Sequence, residues 1–152
     1  MPNISLKTAT LLTGLSMRTL RRRITDGTLT CASSEEDYNK TMICLDSIKN
    51  DIGIPLDPDD IGLIKSADAG DANAQNDLAV LFLENNKPQN AIYWLELAAK
   101  QDFADAMQLL GTCYLKGNGL AKGNNLALMW IANAASLGHQ IAVAQIQSIR
   151  LT

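Results

Sequence analysis

The sequence predicts a mostly helical chain in two parts, a short helix-turn-helix unit followed by a stack of paired antiparallel helices. Three observations lead there. Leu6, Ala9, Leu12 and Leu15 recur at every third position around a glycine at 14, the spacing of one apolar helix face. The string IGIPLDPDD at 52–60 carries two prolines and three aspartates, and proline disfavours helix in the residue before it. Beyond that string the chain repeats itself, with Trp94 and Trp130 thirty-six residues apart in similar surroundings.

A chain of 152 residues, 47% hydrophobic and 19% charged, can bury an ordinary core or two small ones. Disordered and collagen-like classes are excluded by the same figures. No apolar run approaches the roughly eighteen residues of a spanning helix, and the start MPNISLKTAT lacks the basic-then-apolar order of a signal peptide. The expected location is cytoplasmic, with no membrane partner. Cys31, Cys44 and Cys113 are widely spaced and odd in number, which suggests buried free thiols and neither a disulfide framework nor a metal site. The one histidine, His139, follows Gly138 where a turn is expected, and neither a His-based triad nor a His-rich metal site is expected around it. The expectation is a non-enzyme with no catalytic residues and no cofactor.

The formal charge of −3 is unevenly spread. From Met1 to Leu29 five basic residues meet one acidic residue, a balance of +4; Thr30 to Asn50 carries −2, and Asp51 onward carries −5. Nucleic acid responds to local positive potential and not to the whole-chain sum.

The first helix is expected from Ser5 to Leu12. Thr13-Gly14 ends it, because glycine accepts the left-handed conformation of a tight helix-ending turn. Ser16 is a natural N-cap for a second helix running through Thr25, and Asp26-Gly27 closes that helix. On it Met17, Leu20 and Ile24 form the expected inner stripe, while Arg18, Arg21, Arg22 and Arg23 cover the rest of the circumference. A helix of this kind, after a short glycine-containing turn, can enter a major groove by its N-terminal half. Arg18 and Thr19 would lie nearest base edges, since the arginine fork suits guanine, and Arg21, Arg22 and Arg23 would neutralise phosphates.

The segment ISLKTATLLTGLSMRTLRRRITDGTL resembles the MerR-type and excisionase-type winged helix-turn-helix. The resemblance rests on Ala9, Leu12, Gly14, Leu15, Ser16, Thr19, Leu20 and Gly27. It implies a small winged domain at 1–51 that binds double-stranded DNA, with wing strands at Leu29–Ala32 and Thr41–Leu45 and a further helix at Asp46–Asp51, and with Ser16, Met17, Arg18, Thr19, Arg21, Arg22, Arg23 and Lys40 as the contact residues. The tip of the implied wing departs from a basic pattern, reading SSEEDYNK. Glu35, Glu36 and Asp37 would repel phosphate there, and Lys40 alone would attract it.

A linker is expected at 52–59, and repeats from Asp60 to Thr152. Asp59 or Asp60 would cap a helix running to Ala69, stopped by Gly70. GDANAQNDLAVLF then aligns with DFADAMQLLGTCY, placing Ala74 on Ala106, Ala79 on Gly111 and Phe82 on Tyr114. AIYWLELAAKQDFADA aligns with ALMWIANAASLGHQIA, placing Ala91 on Ala127 and Ala106 on Ala142. The difference between the two offsets lies in a loop, LENNKPQN against LKGNGLAKGNNL, where a deletion costs little. Each unit reads as two antiparallel helices. Ala79, Gly111, Ala98, Ala99, Ala134 and Ala135 would let the axes approach, and Trp94, Trp130, Phe82 and Tyr114 would fill the gaps between layers.

LGTCYLKGNGLAKGNNLALMWIANAASLGHQIA resembles the Sel-like repeat, which is related to TPR repeats, in its Leu-Gly, Tyr, Gly-x-Gly-apolar, Ala-x-x-Trp and Ala-Ala-x-x-Gly positions. The resemblance implies a short α-solenoid that binds or scaffolds other proteins. With only two full repeats, its end around Ile141, Val143 and Ile146 is expected to be exposed and is a candidate dimer surface. The glycines of KGNGLAKG lack both a preceding strand and the Lys-Ser/Thr ending of a nucleotide loop, so a helix-connecting turn is expected. Two functions follow. One is a DNA-binding transcriptional regulator or adaptor whose repeats hold a protein partner or a second copy. The other is a non-enzymatic scaffold whose helix-turn-helix does not bind DNA.

Overall fold

The computed structural model describes residues 2–29, 31–34 and 37–149, with the backbone alone at 31–34 and 37–40. Two compact units divide at Ala69/Gly70.

In the first unit a short strand β1 (Asn3–Ser5) leads into α1 (Leu6–Thr13) and α2 (Met17–Thr25). Strands β2 (Cys31–Ser34) and β3 (Asp37–Cys44) follow, then a one-turn α3 (Leu45–Ile48), a 3-10 turn at Lys49–Asp51 and α4 (Pro58–Asp68). The sheet is antiparallel in the order β1-β3-β2, with Ile43 facing Ile4 on one side and Cys31 on the other. β1 is unannounced by the sequence: it precedes the helix expected from Ser5 and overlaps it at Ser5 alone, the residue that caps α1. Its Ile4 is fully buried, and a three-residue strand leaves too short an alternation to register against the helix period. The hairpin is also displaced from expectation: β3 begins at Asp37, and Leu45 opens α3 instead of closing a strand. Tyr38 and Thr41 are strand-forming residue types, so pairing runs into the stretch assigned to the wing tip.

The helix ends follow the local chemistry. Ser5 Oγ accepts from the Thr8 amide and starts α1. Gly14, at φ 74°, closes it by donating its amide to Thr10. Side chains from Ile4, Ala9, Leu12, Leu20, Ile43, Leu45, Ile48 and Ile64 make the core, each fully buried. α4 is capped by Asp57, not by Asp59 or Asp60. Asp57 accepts from the Asp60 amide while the Asp60 carboxylate accepts from the Asp57 amide, a reciprocal box with Pro58 at the first helical position. The sequence assigned α4 to the repeats, whereas it clusters with the first unit. Its Ile64 and Ala67 are buried, and Asp68 in its last turn accepts hydrogen bonds from Ser5 and Thr8.

The second unit is a run of helices: α5 (Ala72–Glu84), α6 (Pro88–Ala99), α7 (Ala104–Lys116), α8 (Asn124–Ser136) and α9 (Gln140–Ser148). Each packs on the next in chain order. The expected equivalences hold. Ala74, Ala106 and Ala142 are buried in the first turns of α5, α7 and α9, and Ala91 and Ala127 are buried in α6 and α8. Gly111 shows why small residues are needed. A methyl group there would stand 2.6 Å from Ile131 Cγ1 and 3.0 Å from the Ala127 carbonyl oxygen, so α7 and α8 meet backbone to side chain at that point.

The two tryptophans differ. Trp94 is 1% exposed, as a core residue should be, but Trp130 is only partly covered. Equivalent sequence positions in successive layers need not have equivalent neighbours, which spacing alone does not reveal.

Candidate functional site

α2 carries the cationic surface. Ser16, in extended backbone conformation, caps it by accepting from the Thr19 amide at 3.1 Å, and its hydroxyl donates to Thr19 Oγ1 at 2.9 Å. The cap fixes the start of the helix in the absence of any acidic residue in its first turn. Leu20 is the residue that anchors it, fully buried, with Ile24 partly covered. Met17, expected on the inner stripe, is 42% exposed. It is the first helical residue after Ser16, ahead of the turn that Leu20 pins down.

Arg18, Arg21 and Arg22 are exposed, and among the described residues no carboxylate lies within ion-pairing distance of them. Arg18 and Arg22, one turn apart, line an open cavity of about 490 Å³ together with Thr19. Arg23 is turned elsewhere: its Nη1 donates to Asp51 Oδ2 at 3.0 Å, both side chains being 32% exposed. That pair ties α2 to the 3-10 turn after α3. The structure therefore groups Arg18, Thr19 and Arg22, leaves Arg21 exposed with no carboxylate partner among the described residues, and withdraws Arg23 into an internal contact. Lys40 lies on β3 with its side chain outside the described part of the structure, and Glu35 and Glu36, at the expected wing tip, lie outside the described residues altogether.

On the second unit, Ile141 is 60% exposed, while Val143 and Ile146 are partly covered beside buried Ala142. His139 caps α9 through Nδ1, which accepts from the Ala142 amide at 3.2 Å, and Nε2 meets Asp105 Oδ1 at 2.8 Å. Gln108, buried in α7, donates to Gln145 of α9 at 3.1 Å, and Gln145 donates to Thr112 at 3.3 Å. These polar links fix α9 on α7.

Sequence reasoning missed several exposed large apolar side chains, among them Tyr93 on α6, Leu126 and Met129 on α8, and Leu137 at the end of α8. A signal for them existed, because Tyr93 and Met129 occupy equivalent places one repeat apart. Burial pushes the Cys113 thiol up from its ordinary value, with Lys116 opposing the shift. Among the described residues no acidic, His or Cys cluster could hold a metal ion, and no helix is long and apolar enough to cross a membrane.

No protein-family model matches the chain, and no curated protein matches it. A solved structure does: a Sel1 repeat protein from Oxalobacter formigenes, 33% identical, with a TM-score of 0.51. The match covers 55% of this chain and 66% of that one, so this chain spans just under two thirds of its solved relative. The helical run is similar to Sel1 repeats. That similarity agrees with the internal repeat and with the glycine contact between α7 and α8, and it supports a Sel-like reading of α5 to α9.

Proposed function

We propose that the chain is a DNA-binding transcriptional regulator or adaptor in which α2 docks on duplex DNA and the Sel-like helices hold a protein. The observation that carries this reading is the grouping on α2. Three exposed arginines with no carboxylate partner among the described residues stand on a helix started by Ser16 and preceded by the left-handed Gly14 turn. The hairpin β2–β3 follows α2 in the order a winged helix-turn-helix requires. Such a surface gains affinity by displacing counterions from phosphates, and Arg18 is placed towards the N-terminal end that meets base edges. The protein-binding half of the proposal rests on the similarity to a Sel1 repeat protein and on the stacked helices, an architecture whose extended surfaces commonly receive partners.

The test is fluorescence anisotropy with a pool of random duplexes at low and moderate salt, comparing the natural chain with an Arg18, Arg21, Arg22 to Ala triple variant. Salt-sensitive binding lost in the variant supports the proposal. No binding by either rejects the DNA half and favours the second reading, a scaffold whose helix-turn-helix holds protein. The run Glu35, Glu36, Asp37 favours that second reading, since it would stand against phosphate if the hairpin served as a wing.

A further inference from the structure

The outward face of α8 has an unusual chemistry. Leu126 is followed at three, four, seven and eleven residues by Met129, Trp130, Asn133 and Leu137. At about 100° per residue these five positions fall on one stripe. Leu126 is 45% exposed, Met129 43% and Leu137 54%; Asn133 is also exposed, and Trp130 is partly so. Between Asn124 and Ile149 the sequence holds no Asp, Glu, Lys or Arg, although the chain as a whole is 19% charged. Solvated helix faces are normally charged, whereas interface centres are depleted in charge and enriched in aromatic residues and Met.

We infer that this stripe is the contact surface for a second copy of the chain, with the two α8 helices packed antiparallel about a two-fold axis. It rests on the reading of the helical unit as the protein-contact half, and it names the partner. The absence of charge permits a second copy, and the spacing of the stripe selects it. A two-fold contact sets a surface against itself, which a charged face resists by self-repulsion and an uncharged face does not. The spacing suits the same operator. With the axis midway along the stripe, Leu126 meets Leu137 of the second copy, and Trp130 meets Asn133 of the second copy. The first pairing is apolar on both sides. In the second, the indole N–H donates to an amide oxygen, so the one polar residue in the stripe has a partner and fixes the register. The consequence for the proposed function is two copies of α2 in one particle, which is what a two-half-site recognition of duplex DNA uses.

The experiment is sedimentation equilibrium of the full chain, without DNA, for the natural sequence, Leu126→Glu, Leu137→Lys and a mixture of the two variants. Both substituted side chains are about half exposed in a single copy, and circular dichroism confirms that each variant folds. The natural chain is expected to dimerise, and each variant to weaken the dimer about a hundredfold or more, since each would bury two copies of the introduced charge against leucine. Mixing them is expected to restore association, because the introduced carboxylate then faces the introduced ammonium at one contact and leucine faces leucine at the other. Tyr93→Glu, on α6, is expected to leave the dimer intact. A natural chain that stays monomeric at high micromolar concentration overturns the inference, as do variants that dimerise normally or a mixture that fails to recover. Anisotropy on the same samples separates the two claims. A monomer that binds duplex DNA defeats this inference alone, and a dimer that does not bind duplex DNA defeats the regulator proposal alone.

Discussion

Asp68, in the last turn of α4, accepts a hydrogen bond from Thr8 Oγ1 at 2.6 Å, and its same oxygen accepts from Ser5 Oγ at 2.7 Å. The Ser5 amide lies 3.3 Å from both carboxylate oxygens. A carboxylate thus stands at the N-terminus of α1, where free amides and the helix dipole favour negative charge. Sixty residues of sequence separate the partners, so the contact closes the first unit.

Replacing Asp68 by Ala should therefore destabilise the first unit by about 2 kcal/mol, because it removes charge-assisted bonds and leaves the buried Thr8 hydroxyl unpaired. Asp68→Asn keeps the shape and one acceptor and should cost roughly half as much. Amide hydrogen exchange along α1 checks this: protection should fall in the order natural, Asn, Ala. Equal protection in all three would mean that the tie contributes nothing to holding α1.

Gly111 and Gly62 both lie within helices, and their surroundings predict opposite outcomes. Gly111→Ala must displace Ile131 or part α7 from α8, and should cost about 1–3 kcal/mol despite the gain in helix propensity. Gly62→Ala, at an exposed position of α4, meets nothing within 4 Å and should stabilise by up to about 1 kcal/mol. Urea denaturation of both variants gives the comparison, with tryptophan fluorescence reporting on the second unit and hydrogen exchange on the first. Stabilisation by Gly111→Ala would remove the close approach of α7 and α8.

The parts legible in the sequence were those that repeat or cap. Ser16 and Gly14 announced α2 and the turn before it, and the offsets between Ala74, Ala106 and Ala142 gave the layered helices. What could not be read depended on contacts remote in sequence. α4 carries the spacing of any amphipathic helix, and it is the burial of Ile64 in the core and the reach of Asp68 to Ser5 and Thr8 that join it to the first unit. Arg23 is indistinguishable from Arg22 as a string of letters, yet Asp51 lies beside one and not the other. The exposure of Trp130 against the burial of Trp94 is likewise a matter of neighbours, since the two residues occupy matched positions in the repeat.

The Arg23–Asp51 pair separates two roles for adjacent arginines. Arg22→Ala should weaken binding to all duplexes alike and reduce the slope of log affinity against log salt by about 0.9, the loss of one phosphate contact. Arg23→Ala should leave that slope unchanged and cost stability by about 0.5 kcal/mol, as befits a pair one-third exposed to screening solvent. Asp51→Asn releases Arg23 and should steepen the slope. Titrations at several salt concentrations distinguish these outcomes, and an equal loss of slope from Arg22→Ala and Arg23→Ala would place both guanidinium groups on the phosphates.

Cys113 offers a test of the inner face of α7. Burial raises its thiol above the ordinary value, with Lys116 opposing only part of the shift, so the unfolded chain ionises this group at lower pH than the folded one. The contribution of the neutral buried thiol to stability is thus complete below the ordinary thiol range, and it is lost as pH rises through the raised value. At mildly alkaline pH a thiol-disulfide reagent should modify Cys113 about tenfold or more slowly in the folded chain than in urea, measured in a background with Cys31 and Cys44 replaced by Ser. Lys116→Met removes the opposing charge and should slow the folded-state reaction further without altering the rate in urea. A folded-state rate equal to the unfolded one would mean that the α7 face bearing Cys113 opens to solvent faster than the reagent attacks, and that the close seam marked by Gly111 does not hold in solution.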